Sequence, residues 1–253
     1  VVFIIILAAA LAVTKCTSVG GSGNSVSGQT LDRSASGGVG GNIEDTESDM
    51  YASYTPDSRT IGKNDISSDY AILIDLENNT VLASKKGDEK MYPSSMTKMM
   101  TLIVAAEHAE NLDDTFEMTT AITDPLFLEN ASVAGFLNGE QVTLRDLMYG
   151  LILPSGADCA VALALYTAGS EAAFADMMNE KVAELGLKNT HFMNPTGLHD
   201  ENQYSTCHEI ALILEYALRD DFMRTVLSTY KYTTEKNMGK MAKTPFFAGF
   251  RLK

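Results

Sequence analysis

The sequence predicts an α+β domain that follows a leader segment and a linker. Two observations indicate this class: a β-hairpin pattern at residues 70–85, and a longer block of helical segments after it. A third is the composition upstream, where an apolar stretch is followed by Gly- and Ser-rich residues. We therefore expect a signal or membrane-anchor segment at 1–16, a flexible linker at 17–66 and a folded domain at 67–253.

The leader is a run of apolar residues that ends at Thr14 and Lys15. A helix that spans a bilayer needs roughly 20 apolar residues, and this run is shorter. It matches the core of a secretory signal, with small residues near a possible cleavage point, so we expect export. A buried core helix is the alternative, but the following residues do not look like a domain. Because the chain opens on Val1, we expect its start to be incomplete.

Composition restricts the partners and the redox state. Residues 17–66 are rich in Ser, Gly, Asp and Asn, which bury too little apolar surface to offset chain entropy. A formal charge of −14 argues against nucleic acid and against a polybasic membrane-surface binder. Lys15 before Cys16 disfavours lipid attachment there. Cys159 and Cys207 could form a disulfide or remain two buried thiols, and the sequence leaves both open.

The elements of the domain follow in order. "YAILIDLENNTVLASK" predicts a hairpin that turns at Asn78 and Asn79. "MTKMMTLIVAAEHAE" predicts a helix whose start is marked by Pro93 and two serines. "TLRDLMYGLILPSGADCAVALALYTAG" predicts two helices separated by residues 154–156. "SEAAFADMMNEKVAELGL" predicts a helix that stops at Gly186, and "YSTCHEIALILEYALRDD" one that Ser205 caps.

Ser95 and Lys98 have the spacing of a nucleophile and its base. Residues i and i+3 share a face at a helix start, so a hydroxyl and an amine meet. A serine hydroxyl reacts only when a base takes its proton, and lysine is such a base only if its pKa is lowered by burial or a nearby cation. The apolar neighbours of Lys98 favour such burial. The alternative is a capping serine beside a solvated lysine. The same spacing at Ser228 and Lys231 falls in a strand-like stretch, where side chains alternate, and is attributed to chance.

Three segments together carry a family resemblance: "YPSSMTKMMT", "LRDLMYGLILPSGAD" and "THFMNPTGLHDENQYST". From Tyr70 to Lys253 the chain resembles the D-alanyl-D-alanine carboxypeptidases, the low-molecular-mass penicillin-binding proteins. The resemblance implies a β-lactamase/transpeptidase-like fold, a helical block packed on an antiparallel sheet. It also implies Ser95 as the acyl-forming nucleophile, Lys98 as its general base and Ser155 as the serine of the second motif, Ser-x-Asn. Ser94 is the rival nucleophile, and the motif register favours Ser95.

The resemblance further implies the reaction and its partners. The enzyme would attack the carbonyl of the penultimate D-alanine of a peptidoglycan stem peptide, release the terminal D-alanine and hydrolyse the acyl-enzyme with water. Ser155 would pass a proton from the lysine to the departing amine. β-Lactam antibiotics would acylate the same serine. No cofactor or metal is implied, and the enzyme would work outside the cytoplasm, in the cell wall or tethered to the membrane of a bacterium.

The chain departs from the family pattern in two places. The second motif has Ala157 where an asparagine is usual, and whether Asp158 substitutes is left open. For the third motif, Lys-Thr-Gly, the chain offers only a Lys-Thr-Pro that ends at Pro245; we reject it because proline has no N–H and is unsuited to such a strand. We therefore expect that the C-terminal strands are missing, which would leave the hairpin without its neighbours and the helices with an uncovered face.

Other functions fit less well. A serine β-lactamase would share the fold, but "NPTGLHDENQYST" is carboxypeptidase-like. A non-catalytic cell-wall-binding protein is the alternative if the third motif is truly lacking. No Gly-x-Ser-x-Gly elbow is present for a Ser-His-Asp hydrolase. "HEIAL" fails as a zinc motif because its fifth residue is Leu212. The histidines are expected to be structural or solvated: His108, His191, His199 and His208.

Overall fold

A computed structural model describes residues 51–234 and 245–247 of the chain. Its strands are β1 (Ser53–Thr60), β2 (Ala71–Asp75), β3 (Thr80–Lys85), β4 (Thr115–Glu117), β5 (Gln141–Thr143), β6 (Lys231–Thr233) and β7 (Pro245–Phe247). Its helices are α1 (Thr97–His108), α2 (Thr120–Leu128), α3 (Leu144–Ile152), α4 (Ala157–Ala168), α5 (Glu171–Glu184), α6 (Cys207–Arg219) and α7 (Asp221–Ser228). A 3₁₀ turn, Ser94–Met96, leads directly into α1.

The predicted hairpin is confirmed. β2 and β3 pair antiparallel, with Ala71 opposite Lys85 and Asp75 opposite Thr80. Asn79 closes the turn with φ of 49°, a left-handed conformation that asparagine tolerates better than most residues. The hairpin is part of a three-stranded sheet whose order is β1-β3-β2. The sheet lies against the helical block through β2 and α6, which agrees with the α+β prediction.

The predicted linker was wrong at its C-terminal end. Residues 53–60 form β1, which pairs in parallel with β3 at the far edge of the sheet. Sequence patterning missed β1 because most of its side chains are exposed, so that backbone pairing rather than apolar burial holds it. The backbone of Ala52 is also fixed to α6, because its N–H reaches Glu215 at 3.3 Å and its carbonyl accepts from His208 at 2.9 Å. The predicted leader, residues 1–16, and residues 17–50 of the predicted linker lie outside the described residues.

The helical boundaries agree with the sequence at most points. α3 and α4 are separated at residues 153–156, as predicted, and α5 ends just before Gly186, whose φ is +68°. The predicted cap of α6 was wrong by one residue. Thr206 is the N-cap and its Oγ1 accepts from the N–H of Glu209, whereas Ser205 pairs with Met91 across an isolated bridge. Ser228 ends α7 and Lys231 begins β6, so these two residues do not share a strand.

Helix α1 lies at the centre of the domain. It packs against α3, α4, α5 and α6, and Met100, Leu102 and Ile103 have no exposed surface. A helix that is apolar on almost every side is buried in the core. Lys98, in the first turn of this helix, is therefore buried as well.

The expectation that the hairpin has no neighbouring strand was wrong, because β1 pairs with β3. Within residues 51–234 and 245–247, the edges of this sheet are β1 and β2. Leu73 and Leu82 expose 37% and 45% of their surface. Pro245 begins β7 opposite Thr233, a strand start at which proline is tolerated, so the objection that proline does not fit a strand is wrong here. Lys243 and Thr244 lie outside the described residues. No helix in the described part of the chain is both long and apolar enough to cross a bilayer.

Candidate active site

The turn before α1 brings Ser95 and Lys98 together. The Nζ of Lys98 lies 3.5 Å from the Oγ of Ser95, at the outer limit of a hydrogen bond. Ser94 and Ser95 are exposed on the 3₁₀ turn, while Lys98 is 4% exposed on the first turn of α1. Ser94 has φ of 49°, a strained conformation for a residue with a side chain. The predicted nucleophile thus faces solvent and the predicted base lies behind it.

Burial prepares Lys98 to act as a base. Loss of water around the amine lowers the pKa of Lys98 to about 8, and the nearby Cys159 and Asp158 oppose that fall only in part. An amine with such a pKa is unprotonated in about a tenth of the molecules at pH 7, far more than for an ordinary lysine. It can then accept the proton of a serine hydroxyl. The alternative of a solvated surface lysine is wrong.

Lys98 has a second partner that sequence reasoning did not predict. Its Nζ donates to the carbonyl oxygen of Thr196 at 2.6 Å. One turn further along α1, the Oγ1 of Thr101 donates to the carbonyl of Pro195 at 2.7 Å. The segment "NPTGL" contributed to the family resemblance, but no contact with Lys98 was predicted from it, because a backbone acceptor leaves no mark in the side-chain pattern. Two side chains of α1 therefore hold two successive carbonyls of this loop.

Gly197 lets the loop approach the nucleophile turn. A Cβ at this position would lie 2.0 Å from the carbonyl oxygen of Ser94, well inside contact distance. Its φ of +78° also belongs to the left-handed region that glycine occupies at no steric cost. Tyr92 and His199 continue the same contact, edge to face with ring centroids 4.7 Å apart. The loop and the turn form one surface beside Ser95.

Ser155 lies at the turn between α3 and α4, and both helices pack against α1. It is half-buried and has φ of +60°, so it is a second serine of this site in a strained conformation. No hydrogen bond links its hydroxyl to Ser95 or Lys98 among the residues that the structure describes. The structure therefore brings the first two predicted residues into contact and leaves Ser155 on the neighbouring turn.

Asp158 does not take the place of the missing asparagine. Its carboxylate is fully buried and accepts hydrogen bonds from the N–H groups of Ala134 at 2.8 Å and Gly135 at 3.0 Å. These bonds fix the loop before β5 against the start of α4. The carboxylate is committed to backbone donors, so it is not free to hold a substrate amide. Ala157 beside it is 2% exposed and contributes only a methyl group.

Cys159, Cys207 and His208 are held by packing or by hydrogen bonds within the fold. Cys159 and Cys207 are free and buried, which resolves the two readings in favour of thiols. Burial raises the pKa of Cys207 to about 12 and that of Cys159 well above its ordinary value. His208 bridges Asp88 and the carbonyl of Ala52. No group of three metal-ligating side chains occurs in the part of the chain that the structure describes.

The chain is similar in sequence to known proteins. The sequence profile of the family "Peptidase S11: D-alanyl-D-alanine carboxypeptidase" matches residues 57–247. The chain is 34% identical over 175 residues to the D-alanyl-D-alanine carboxypeptidase DacF of Bacillus subtilis, covering 67% of this chain and 44% of that protein. It is 40% identical over 156 residues to DacA of Escherichia coli K12, covering 59% and 38%. The chain thus spans less than half the length of these two relatives.

A solved structure is similar as well. The crystal structure of the Streptomyces K15 DD-transpeptidase superimposes with a TM-score of 0.69 at 31% identity, over 74% of this chain and 76% of that one. A similarity of this size supports the predicted β-lactamase/transpeptidase-like fold, with the helices packed on a small, mostly antiparallel sheet.

Proposed function

Since the chain belongs to the Peptidase S11 family of D-alanyl-D-alanine carboxypeptidases, we propose that it is a serine-type D-Ala-D-Ala carboxypeptidase of the peptidoglycan. The single observation that carries the proposal is the exposed hydroxyl of Ser95 at 3.5 Å from a buried amine. The lowered pKa of Lys98, caused by burial, gives that amine the proton affinity that the reaction needs.

The proposed reaction uses three side chains. Lys98 takes the proton of Ser95, whose Oγ attacks the carbonyl carbon of the penultimate D-alanine. When the tetrahedral intermediate collapses, the C–N bond breaks and the acyl group stays on Ser95. Ser155 hands the proton from Lys98 to the departing nitrogen, so that the terminal D-alanine leaves as a neutral amine. Water then attacks the ester and returns Ser95 to its hydroxyl form.

The strained serines support these roles without fixing them. Ser94 and Ser155 both have positive φ, and backbone strain of this kind clusters at functional sites. We propose Ser155 as the proton carrier and not as the nucleophile, because the buried amine lies next to Ser95. A penicillin would enter the same reaction, since its strained amide would acylate Ser95.

The surroundings of the enzyme are part of the proposal. Members of this family generally act in the periplasm or cell wall, and we place this chain there. The apolar residues at 1–16 would direct export or anchor the chain. The Gly- and Ser-rich residues that follow, as far as 50, would hold the domain away from the anchor.

Covalent labelling with a fluorescent penicillin tests the proposal. The wild type is expected to form a long-lived adduct on Ser95, identified by mass spectrometry, and to release D-alanine from an acylated L-Lys-D-Ala-D-Ala peptide. Ser95→Ala should take no label. Ser94→Gly is the matched control, because glycine suits the φ of 49° and removes only the neighbouring hydroxyl.

Each contrary result identifies an alternative. Label that survives Ser95→Ala would remove Ser95 as the nucleophile. An adduct that hydrolyses within seconds would favour a β-lactamase. A folded wild type that takes no label and releases no D-alanine would favour the non-catalytic cell-wall-binding protein.

A further inference from the structure

The partner of Lys98 in this chain comes from an unexpected place. The family's second motif supplies an amide at the position of Ala157, and a methyl group neither accepts nor donates a hydrogen bond. Asp158 is committed to the N–H groups of Ala134 and Gly135. The strong acceptor that Lys98 does contact is the Thr196 carbonyl at 2.6 Å, on a loop far along the chain.

The side chain of Asn194 makes four hydrogen bonds around that carbonyl. The Oδ1 of Asn194 accepts three hydrogen bonds: from the N–H of Thr196 at 3.2 Å, from its Oγ1 at 2.9 Å and from the N–H of Gly197 at 2.8 Å. The Nδ2 of Asn194 donates to the carbonyl of Leu198 at 3.1 Å. Asn194 therefore braces the peptide group that contains the Thr196 carbonyl, through the N–H of Gly197, and the peptide group before it, and so fixes the direction in which that oxygen points.

Asn194 is itself held from behind by Gln203. The Oε1 of Gln203 accepts from the N–H groups of Met193 at 3.0 Å and Asn194 at 3.2 Å. Gln203 is 2% exposed, so these bonds form away from water, where a lost partner is costly. The chain of contacts runs from Gln203 through Asn194 to the Thr196 carbonyl and ends at the amine of Lys98.

We propose that Asn194 is a positioning residue that aims the Thr196 carbonyl at the Lys98 amine and so keeps that amine shielded from water. The inference deepens the proposed carboxypeptidase function and rests on it. Asn194 does not touch the reacting atoms; it acts through a backbone oxygen. Without it, the loop can turn its carbonyl away and water can reach Lys98.

Water that reaches Lys98 is expected to change the pKa of its amine in a direction that can be measured. Burial is the main cause of the lowered pKa of Lys98. Loss of the Thr196 acceptor alone would lower that pKa further, but water that enters after Asn194→Ala takes over the hydrogen bond and also relieves the desolvation, so the net change is a rise. A rise of about one pH unit leaves about tenfold fewer molecules with the neutral amine at pH 7. Mere loss of folded protein would lower the amount of active enzyme and would not move a titration midpoint.

The experiment follows the Lys98 amine directly and does not depend on catalysis. The full chain is labelled with ¹³Cε-lysine and titrated by NMR, and the Lys98 signal is assigned from its absence in Lys98→Arg. In Asn194→Ala the midpoint is expected to rise by at least about half a pH unit. The acid limb of penicillin acylation against pH should move the same way, and the rate at pH 7 should fall by about threefold for a rise of half a pH unit and by about tenfold for a full unit.

Asn179→Ala is the matched control. The Asn179 amide donates to the Phe192 carbonyl at 2.8 Å and accepts from its N–H at 2.9 Å, so it braces the same segment at a point away from Thr196. This variant is expected to leave the Lys98 midpoint unchanged.

Each outcome decides the inference. An unchanged or lowered midpoint in Asn194→Ala, or an equal rise in both asparagine variants, would overturn it. If Asn194→Ala does not fold, Asn194→Ser keeps one acceptor oxygen and is expected to give a smaller rise; a wild-type midpoint in that variant would also overturn it. If the midpoint moves as expected but the wild type takes no penicillin, the proposed function fails and the positioning role stands.

Discussion

The Nζ of Lys98 lies 3.5 Å from the Oγ of Ser95, and the two groups differ completely in exposure: the amine is buried and the hydroxyl faces solvent. The arrangement follows from the 3₁₀ turn Ser94–Met96, which lifts the hydroxyl out of the core just before α1 enters it. A substrate can thus reach the nucleophile while the base stays dry. This separation is expected to lower the stability of the fold and to depend on the residues that hold the turn and the neighbouring loop.

The buried amine of Lys98 is expected to lower stability. Its pKa is lowered by burial to about 8, so below that pH the native state carries a charge that it holds less well than the unfolded chain does. Full relief would be worth about 3 kcal/mol, and lost hydrogen bonds reduce this. Lys98→Met should therefore abolish acylation and yet raise the free energy of unfolding at pH 7 by roughly 1–2 kcal/mol.

The difference in unfolding free energy between the wild type and Lys98→Met is expected to depend on pH. As the pH rises from about 8 towards 10.5, native Lys98 loses its proton before the unfolded chain does, so the wild type should gain stability relative to Lys98→Met. Lys181 is the matched control, because Glu107 and Glu184 outweigh burial and raise its pKa. Lys181→Met should lose stability in urea unfolding at pH 7. Equal losses in both variants would contradict the account.

Gly197→Ala is expected to disrupt the site by a backbone collision. The added Cβ would meet the carbonyl oxygen of Ser94 at 2.0 Å, and backbone cannot move aside as a flexible side chain does. We expect a loss of about 2–4 kcal/mol in unfolding free energy and at least about a tenfold loss in acylation rate.

Gly186→Ala is the control that measures the cost of placing alanine at positive φ without a collision between its Cβ and the backbone. Gly186 also has positive φ, +68°, but a Cβ there would meet nothing within 4 Å. It should lose only about 1 kcal/mol and keep its acylation rate. Similar losses in the two variants would show that φ alone, and not the contact with Ser94, explains Gly197.

Ser155 offers a way to separate its hydroxyl from its strained backbone. Ser155→Gly should keep or slightly raise the unfolding free energy, by up to about 1 kcal/mol, because glycine adopts φ of +60° freely. Ser155→Ala keeps the strain. If Ser155 carries the proton to the leaving nitrogen, both variants should release D-alanine at least about a hundredfold more slowly. A Ser155→Gly variant with the wild-type rate would remove Ser155 from the mechanism.

Asp158 is expected to matter for stability more than for substrate. Asp158→Asn replaces one acceptor oxygen by a donor that must face the N–H of Ala134 or Gly135, so about 2–3 kcal/mol should be lost in urea unfolding. Asp113→Asn is the control, since its exposed pair with Arg145 should be worth under about 1 kcal/mol. An unfolding free energy unchanged by Asp158→Asn would mean that the loop before β5 is held by other contacts.

The sequence predicted those parts in which side-chain chemistry carries the signal. The hairpin has a run of β-formers around two asparagines, and the break between α3 and α4 has Pro154 and Gly156. Ser95 and Lys98 were found because a helix start and apolar neighbours surround the motif. β1 was missed because "SYTPDSRT" resembles a linker in composition, and only pairing with β3 makes it a strand.

The remaining parts could not be predicted, because they depend on backbone atoms or on contacts distant in sequence. The Thr196 carbonyl is available from any residue type, and nothing in the sequence says that it meets Lys98, 98 positions earlier. The roles of Ala157 and Asp158 could not be separated until the loop at 134–135 was seen against α4. Ser205 and Thr206 are equally good caps in isolation; the bridge from Ser205 to Met91 decides between them.

The backbone acceptor for Lys98 has a consequence for how this site can change over generations. An acceptor side chain can be lost by a single codon change, but a peptide carbonyl is present whatever residue occupies position 196. A substitution at that position leaves the carbonyl oxygen in place. The positions where substitution would disturb the contact are those that shape the loop, Asn194 and Gly197. Thr196 is only 2% exposed and its Oγ1 donates to Asn194, so a library randomised at position 196 should retain small residues, serine above all, whereas one randomised at 194 or 197 should retain few members of any kind.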